Sequence, residues 1–220
     1  MAINVDLLKS IPYFTGLSES ALAAVNSHVF EKKAVRGDIL VFEGELAEAM
    51  YYVAAGVVKV FKTSADGKEQ ILRIIRPGDT FNDVPALGGL NLASAAAMSV
   101  AVLHGIKMKD LETLSREYAQ VALNIIKVLS LRVQEMIALV EDLSFRHVNG
   151  RVAKILLEYA GNGEKPRLTQ QEMAAMIGTA REMVGRSFKN LEAEGAIRIE
   201  RNRIIIADYA TLKKIAGITE

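Results

Sequence analysis

The hydrophobic positions change period three times along the chain, and each change marks a new run of elements. Between Asn4 and Val29 the apolar residues Leu7, Leu8, Ile11 and Phe14 fall at helical spacing. Ser18 with Glu19 then starts a second helix through Leu22 and Val25. From Phe30 to about Ile106 the pattern turns to short apolar runs: Ile39–Phe42, Met50–Val53, Val57–Phe61, Ile71–Ile75 and Met98–Leu103. Turn signals separate them, among them Arg36-Gly37-Asp38, Glu43-Gly44-Glu45, Ala55-Gly56, Ala65-Asp66-Gly67 and Pro77-Gly78-Asp79. Short strands punctuated by glycine turns predict an all-β barrel or jelly roll, a fold that closes around side chains or one small ligand.

A helical segment follows over about Met108–Leu143, without proline or glycine. Ala122, Ile126, Leu129, Val133, Met136, Val140 and Leu143 alternate steps of four and three, the seam of a two-stranded coiled coil spanning ~32 Å at 1.5 Å per residue. A second stripe, Val121, Ile125 and Val128, is suited to pack the helix on its own barrel. Leu143–Asn149 reads as a hinge, with Phe145 and His147 its notable side chains. A helix Val148–Tyr159 follows, ended by Gly161-Asn162-Gly163, with Pro166 ahead of the next element.

Thr169–Leu191 reads as two short helices broken at Ile177-Gly178-Thr179. A helix-turn-helix needs a small residue where the helices touch, a glycine in the turn and an apolar residue where the second helix packs back. Ala174, Gly178 and Val184 meet those needs, and Met173, Ile177, Val184, Phe188 and Leu191 supply a buried face. The second helix opens with Thr179-Ala180-Arg181-Glu182 and carries Arg186 one turn later. A hairpin signal comes next: Ala196–Ile199 and Arg203–Ile206 around Glu200-Arg201-Asn202. Helix-turn-helix followed by a β wing points to DNA. The pattern as a whole predicts an α+β chain in two domains. Residues 1–143 form a jelly-roll domain able to close around one small ligand, with its long dimerisation helix (about 108–143), and residues 144–220 a winged helix-turn-helix.

Composition narrows this further. Half the residues are hydrophobic (50%), which argues against disorder. There is no cysteine, hence no disulfide, iron–sulfur cluster or thiol sensor. The opening MAINVDLLKSIPYF has no basic stretch followed by a long apolar run, and no window is apolar enough to span a bilayer, so a soluble, cytoplasmic protein is expected. Net charge is +1, yet from Val148 onward basic residues exceed acidic ones, in keeping with a DNA-binding carboxy-terminal half. Metal-dependent barrel enzymes need clustered histidines and carboxylates. No such cluster, nucleophile elbow or P-loop is present, so no enzyme is expected.

Several segments together resemble the catabolite activator protein / fumarate–nitrate reduction regulator superfamily over nearly the whole chain. They are Lys33–Asp38 with Phe42-Glu43-Gly44, Tyr52–Val60, Phe145–Ala153, and most specifically Arg181-Glu182-Met183-Val184-Gly185-Arg186. Gly185 favours the catabolite activator type over the Glu-x-x-Ser-Arg pattern of the other subgroup. The resemblance implies a dimeric, effector-controlled transcription regulator that binds an inverted DNA repeat and touches RNA polymerase. Arg181 and Arg186 suit guanine O6 and N7, and Glu182 suits the cytosine amino group. Thr169, Gln170, Thr179 and Lys189 suit phosphates.

The same resemblance implies an effector pocket at Asn82, Asp83, Ala93, Ser94 and Met98, with Leu129 and Ser130 of the long helix against it. Cyclic-nucleotide-binding members carry Gly-Glu and Arg-Ser where this chain has Asn82-Asp83 and Ala93-Ser94. Ser94 is kept and the arginine is not. A buried phosphate needs a compensating cation, and Asp83 without one repels it, which argues against cyclic AMP or GMP. An apolar ligand, a haem or packed side chains remain as contents of the pocket. Haem-based sensing of CO or NO would draw on His28, His104, His147 or a methionine such as Met98, since a Cys/His ligand pair cannot form. His147 stands where the family often has a helix-capping aspartate, and histidine caps more weakly. The competing reading is an effector-independent or architectural DNA-binding protein.

Overall fold

A computed structural model describes residues 5–84, 89–160, 168–200 and 203–218. The chain forms two compact units, Met1–Lys62 with Leu72–Met136 and Thr63–Ile71 with Ile137–Glu220.

The first unit opens with α1 (Val5–Ser10), a 3-10 turn (Pro12–Phe14) and α2 (Glu19–Asn26). Ser18 caps α2, its hydroxyl oxygen accepting the Ala21 N–H at 3.3 Å. Two four-stranded antiparallel sheets follow, in the orders β1-β8-β3-β6 and β2-β7-β4-β5. Their strands are β1 (Val29–Ala34), β2 (Ile39–Val41), β3 (Ala49–Ala55), β4 (Val58–Thr63), β5 (Glu69–Ile75), β6 (Thr80–Phe81), β7 (Ser94–Ala97) and β8 (Ala101–Lys107). Val53, Val58, Ile75, Phe81 and Leu103 fill the space between them, and Tyr51 stacks on Phe81 at 5.2 Å. Gly56 sits where a Cβ would lie 2.3 Å from the Val100 carbonyl oxygen, so the turn there tolerates no side chain.

The strand pattern was only partly visible in the sequence. The run Met98–Leu103 is not one strand. Met98–Val100 is a turn, in which Ser99 Oγ accepts the Val57 N–H at 3.0 Å, and β7 and β8 flank it. β7 is mostly alanine and lacks the β-branched or aromatic residues that signal a strand. β1, with Glu31, Lys32 and Lys33 at its centre, and the two-residue β6 also lie outside the expected runs.

The long helix is two helices, α3 (Met108–Glu117) and α4 (Ala119–Phe145). Tyr118 between them is extended, at φ −123° and ψ 95°. Periodicity hid the break. Leu111, Leu114, Tyr118, Val121 and Ile125 keep steps of three and four across it, with no glycine or proline to mark it. Val121, Ile125 and Val128 are buried with Leu8, Phe14 and Leu22 in the core beside the barrel. Buried Asn124 fastens α4 there, donating to the carbonyls of Tyr13 (3.0 Å) and Thr15 (2.8 Å). On the other face Ile126, Val133 and Val140 are each more than half exposed, while Ala122, Leu129 and Met136 are half-buried.

The second unit holds α5 (Val148–Ala160), α6 (Gln170–Ile177), α7 (Arg181–Ala193), β9 (Ile197–Glu200), β10 (Arg203–Ile206) and α8 (Tyr209–Ile215). Val152, Leu156, Ile177, Phe188, Leu191 and Leu212 share its core. At the hinge, Arg151 Nη1 donates to the carbonyls of Asp142 (3.3 Å), Leu143 (3.3 Å) and Arg146 (2.9 Å), closing the last turn of α4. Asp142 pairs with Arg146 at 2.6 Å and with Lys154. Phe145 is 82% exposed, and His147 is exposed with its carbonyl accepting the Arg151 N–H. The expected breakers Gly161-Asn162-Gly163 and Pro166, and residues Arg201-Asn202 of the wing turn, lie outside the described residues.

Candidate DNA interface and effector site

The helix-turn-helix is built by three local devices. Thr169 and Glu172 form a capping box at the start of α6, the Thr169 hydroxyl oxygen accepting the Glu172 N–H while the Thr169 N–H donates to the Glu172 carboxylate. Gly178 ends α6 in the left-handed region at φ 64°, and a Cβ there would meet the Leu143 side chain at 2.7 Å. Ala174, 1% exposed, lets the helices close, and Met173, Ile177, Val184, Phe188 and Leu191 are all buried as their spacing requires. Leu143, the last residue of the expected seam, thus packs against this turn.

That packing fixes which face of α7 points outward. Helix α7 begins at Arg181, two residues after the expected Thr179, with Ala180 as an N-cap that offers no side-chain bond. Arg181, Glu182, Arg186 and Lys189 are exposed and form no ion pair among the described residues. Such an unspent set of forked donors and a carboxylate acceptor can engage base edges in a major groove. Of the phosphate set, Gln170 is exposed at the first turn of α6. The Thr169 hydroxyl is already bonded to Glu172, and Thr179 is half-buried with its N–H donated to the Ala174 carbonyl. Arg198 and Arg203, exposed on the wing strands, are two further cations that sequence reasoning passed over, because there they only punctuated a hairpin.

One of the residues expected to line an effector pocket lines a described cavity. Asn82 lines a cavity of about 350 Å3 together with Phe42, Leu46, Tyr51, Glu45, Glu48 and Asn91. Asp83, Ala93, Ser94, Met98, Leu129 and Ser130 are not among its lining residues. Ser94 Oγ accepts the Glu43 N–H at 3.0 Å, and Met98 lies in the β7–β8 turn. The rotation of α4 settles the rest. Leu129 packs with the helical core, Ser130 points to solvent with its hydroxyl on the Ile126 carbonyl, and Arg132 is the residue turned to the barrel.

Arg132 is the functional feature the sequence concealed. Its Nε donates to Asp83 at 2.8 Å, and its Nη2 to Asp79 at 2.7 Å, to the Thr80 carbonyl at 3.2 Å and to the Thr80 hydroxyl at 3.1 Å. Arg73 closes the circuit, 2.7 Å from Asp79 and 2.9 Å from Glu135. Burial works against the Arg132 charge, yet the Asp83 and Asp79 carboxylates outweigh it and hold the guanidinium above its ordinary pKa. Tyr13 beside it is pushed up by burial and then by Asp83, so its phenol stays protonated. Asp83 is therefore not uncompensated, contrary to the sequence expectation: its charge is met by Arg132 and, at 3.8 Å, by Arg73. The signal available was a lone arginine on the otherwise apolar stripe Val121, Ile125, Val128, a position where an unpaired charge is costly.

The histidines sit apart from this site. His28 Nδ1 is 3.6 Å from Asp110, and His104 is buried against Tyr52 with its imidazole pKa lowered by burial against the pull of Glu31. None of the three lines the cavity.

Comparison with known proteins agrees with this geometry. The cyclic nucleotide-binding domain model matches residues 31–118, and the Crp-like helix-turn-helix domain model matches residues 150–215. The chain is 31% identical over 212 residues to the cyclic AMP receptor protein of Thermus thermophilus, covering 95% of this chain and 98% of that relative. The chain belongs to the Crp/Fnr family of transcription regulators. A CRP-like cAMP-activated global transcriptional regulator of Mycobacterium tuberculosis is 28% identical over 221 residues, covering 96% of this chain and 99% of the relative. The solved structure of the Thermus thermophilus catabolite activator protein matches at a TM-score of 0.54 with 31% identity, covering 94% and 100% of the two chains. The c-di-GMP responsive regulator CLP of Xanthomonas campestris shares the fold at a TM-score of 0.76 with 19% identity, covering 87% and 100%. As a Crp/Fnr member the chain is a DNA-binding regulator and not an enzyme. No helix among the described residues is long and apolar enough to cross a membrane.

Proposed function

We propose that the chain acts as a homodimer that reads an inverted DNA repeat through α7, contacts RNA polymerase, and answers to a small effector other than cyclic AMP. The observation that carries the DNA reading is the outward set Arg181, Glu182 and Arg186 on a helix whose opposite face is fully packed. The dimer reading rests on Ile126, Val133 and Val140, apolar side chains at seven-residue spacing left in water by a single copy. Polymerase contact is what the family resemblance implies.

The effector reading rests on charge. Cyclic AMP brings a phosphate, and the expected arginine is Ala93. The two cations present, Arg73 and Arg132, are already engaged by three carboxylates, Asp79, Asp83 and Glu135. A phosphate entering there must compete with those pairs and meet a net negative site. Relatives sharing the fold are named for different effectors, cyclic AMP and c-di-GMP, so the fold alone does not specify one. Haem is not favoured, because His28 lies 3.6 Å from Asp110 and His104 is buried against Tyr52.

A second reading is favoured by the same closed cluster: a barrel whose polar positions satisfy one another suits DNA binding without any effector. Isothermal calorimetry with cyclic AMP, paired with DNA binding with and without the nucleotide, tests both. The expected result is no saturable heat and unchanged DNA affinity. Tight binding would show that Arg73 or Arg132 leaves its carboxylates for the phosphate. DNA affinity that depends on a co-purified small molecule, identified by mass spectrometry, decides against the effector-independent reading.

A further inference from the structure

The cavity beside β2 is separate from the Arg132 cluster, and its chemistry is one-sided. Its apolar wall includes Leu40, Val41 and Tyr51, and at its rim Phe42 and Leu46 are 52% and 69% exposed. Its polar lining is Glu45, Glu48, Asn82 and Asn91, with no cation. Asn82 is the one non-glycine residue with positive φ (60°) among the described residues. Its amide nitrogen donates to the Ala49 carbonyl at 2.9 Å and to Asn91 Oδ1 at 3.0 Å, and Asn91 in turn donates to the Phe42 carbonyl at 2.9 Å. With its donors spent, the Asn82 side chain has its carbonyl oxygen left to offer. Burial, then Glu48, pushes the Tyr51 phenol up, so it adds no negative charge. Two cations lie behind this wall: Lys32, whose Nζ lies 5.5 Å from the Tyr51 ring centre and 3.5 Å from the Leu40 carbonyl oxygen, and Lys107, which stands opposite Ala49 in the sheet. Neither lines the cavity, where Glu45 and Glu48 are the charged groups.

We propose that this cavity binds a small amphipathic organic cation, an alkyl- or arylammonium. Its apolar body would lie against Phe42, Leu46 and Tyr51, and its ammonium would be held by Glu45, Glu48 and the Asn82 carbonyl. The volume, about 350 Å3, is at the lower end of the range for small-molecule sites and suits a compact ligand. An exposed apolar rim around convergent acceptors selects the cation twice, by hydrophobic contact and by charge. The same rim disfavours a carboxylate or phosphate of equal size, which would face both glutamates. The site shares Asn82 with the positions where the family resemblance places a nucleotide but holds none of the charged circuit around Arg132, and it stands whether or not the effector reading above holds.

The test is isothermal calorimetry on the full chain with three probes of equal length: hexylamine, hexanol and hexanoate. Hexylamine should bind saturably, hexanol at least tenfold more weakly, and hexanoate not measurably. In the Glu45→Gln/Glu48→Gln double variant, hexylamine should lose at least tenfold in affinity and hexanol should change little. Both glutamates are exposed, so that variant should keep the wild-type melting temperature. Tyr51 ring resonances should shift on titration with hexylamine. No saturable hexylamine binding, equal binding of hexanoate, or an unchanged hexylamine affinity in the double variant would each overturn the proposal.

Discussion

Charge is handled in opposite ways in the two units. In the barrel, Arg73, Arg132, Asp79 and Asp83 are drawn into one another, with the Asp83 side chain 3% and the Arg132 side chain 11% exposed. On α7, Arg181, Glu182 and Arg186 stand in solvent, with no ion pair among the described residues. Side chains satisfied by their own chain serve stability and the placing of α4. Side chains left unsatisfied on a rigid helix await a partner. The presence of charge therefore says little about where a regulator meets its ligand, and the pairing of that charge says more.

The largest effect should come from opening the barrel circuit. Arg132→Ala takes from buried Asp83 its 2.8 Å partner, leaving Arg73 at 3.8 Å, and should cost about 3–5 kcal/mol of unfolding free energy in urea. A double-mutant cycle with Asp83→Ala should recover much of that loss, because the uncompensated charge goes with it. A loss under about 1 kcal/mol would mean the circuit is solvated and the contrast between the units is false.

Next in size is the seam. Val133→Asp places like charges face to face in the proposed dimer and should give monomers at low micromolar concentration by analytical ultracentrifugation, a loss of several kcal/mol of association. A variant that stays dimeric removes α4 as the dimer contact.

Gly178→Ala should cost about 1–2 kcal/mol from the left-handed backbone alone, and more if Leu143 cannot move aside, read as a lowered melting temperature. Since the base-reading residues are untouched, DNA affinity at low temperature should fall far less than stability does.

How much of this was legible follows from what each feature needs. The helix-turn-helix is local: a small residue, a glycine and five apolar positions within one short stretch specify it, and Ala174, Gly178 and Val184 all lie where that geometry demands. The jelly roll was legible as a class, from glycine turns between apolar runs. Individual strands such as alanine-rich β7 were not, because burial there comes from neighbours and leaves no mark on the residues themselves. The break at Tyr118 was hidden because the apolar period runs straight through it. The barrel circuit was hidden for a different reason. Arg132 lies 49 residues from Asp83, and only the rotation of α4 brings it to the local cluster of Arg73, Asp79 and Asp83. Ser130 and Leu129, two and three residues before Arg132, look equally eligible on the page, yet one faces solvent and the other the helical core.

Among the smallest effects is Lys189→Ala, which removes one exposed cation from the DNA face. It should weaken all sites alike and lower the salt dependence of binding by about one phosphate contact. Altered sequence preference in that variant would move Lys189 from positioning to base reading.

The central claim is that α7 reads bases in a two-fold arrangement through Arg181, Glu182 and Arg186. Selection from a randomised DNA pool, with wild type and Glu182→Ala at one fixed salt concentration, tests it most directly. The wild type should return inverted repeats with half-sites about one helical turn, ~34 Å, apart, each containing G·C pairs in a TGTGA-like sequence. The variant should return the same repeat with discrimination relaxed at one base pair by about 1–3 kcal/mol. Selected sites that are not inverted repeats, or a Glu182→Ala motif identical to that of the wild type, would contradict it.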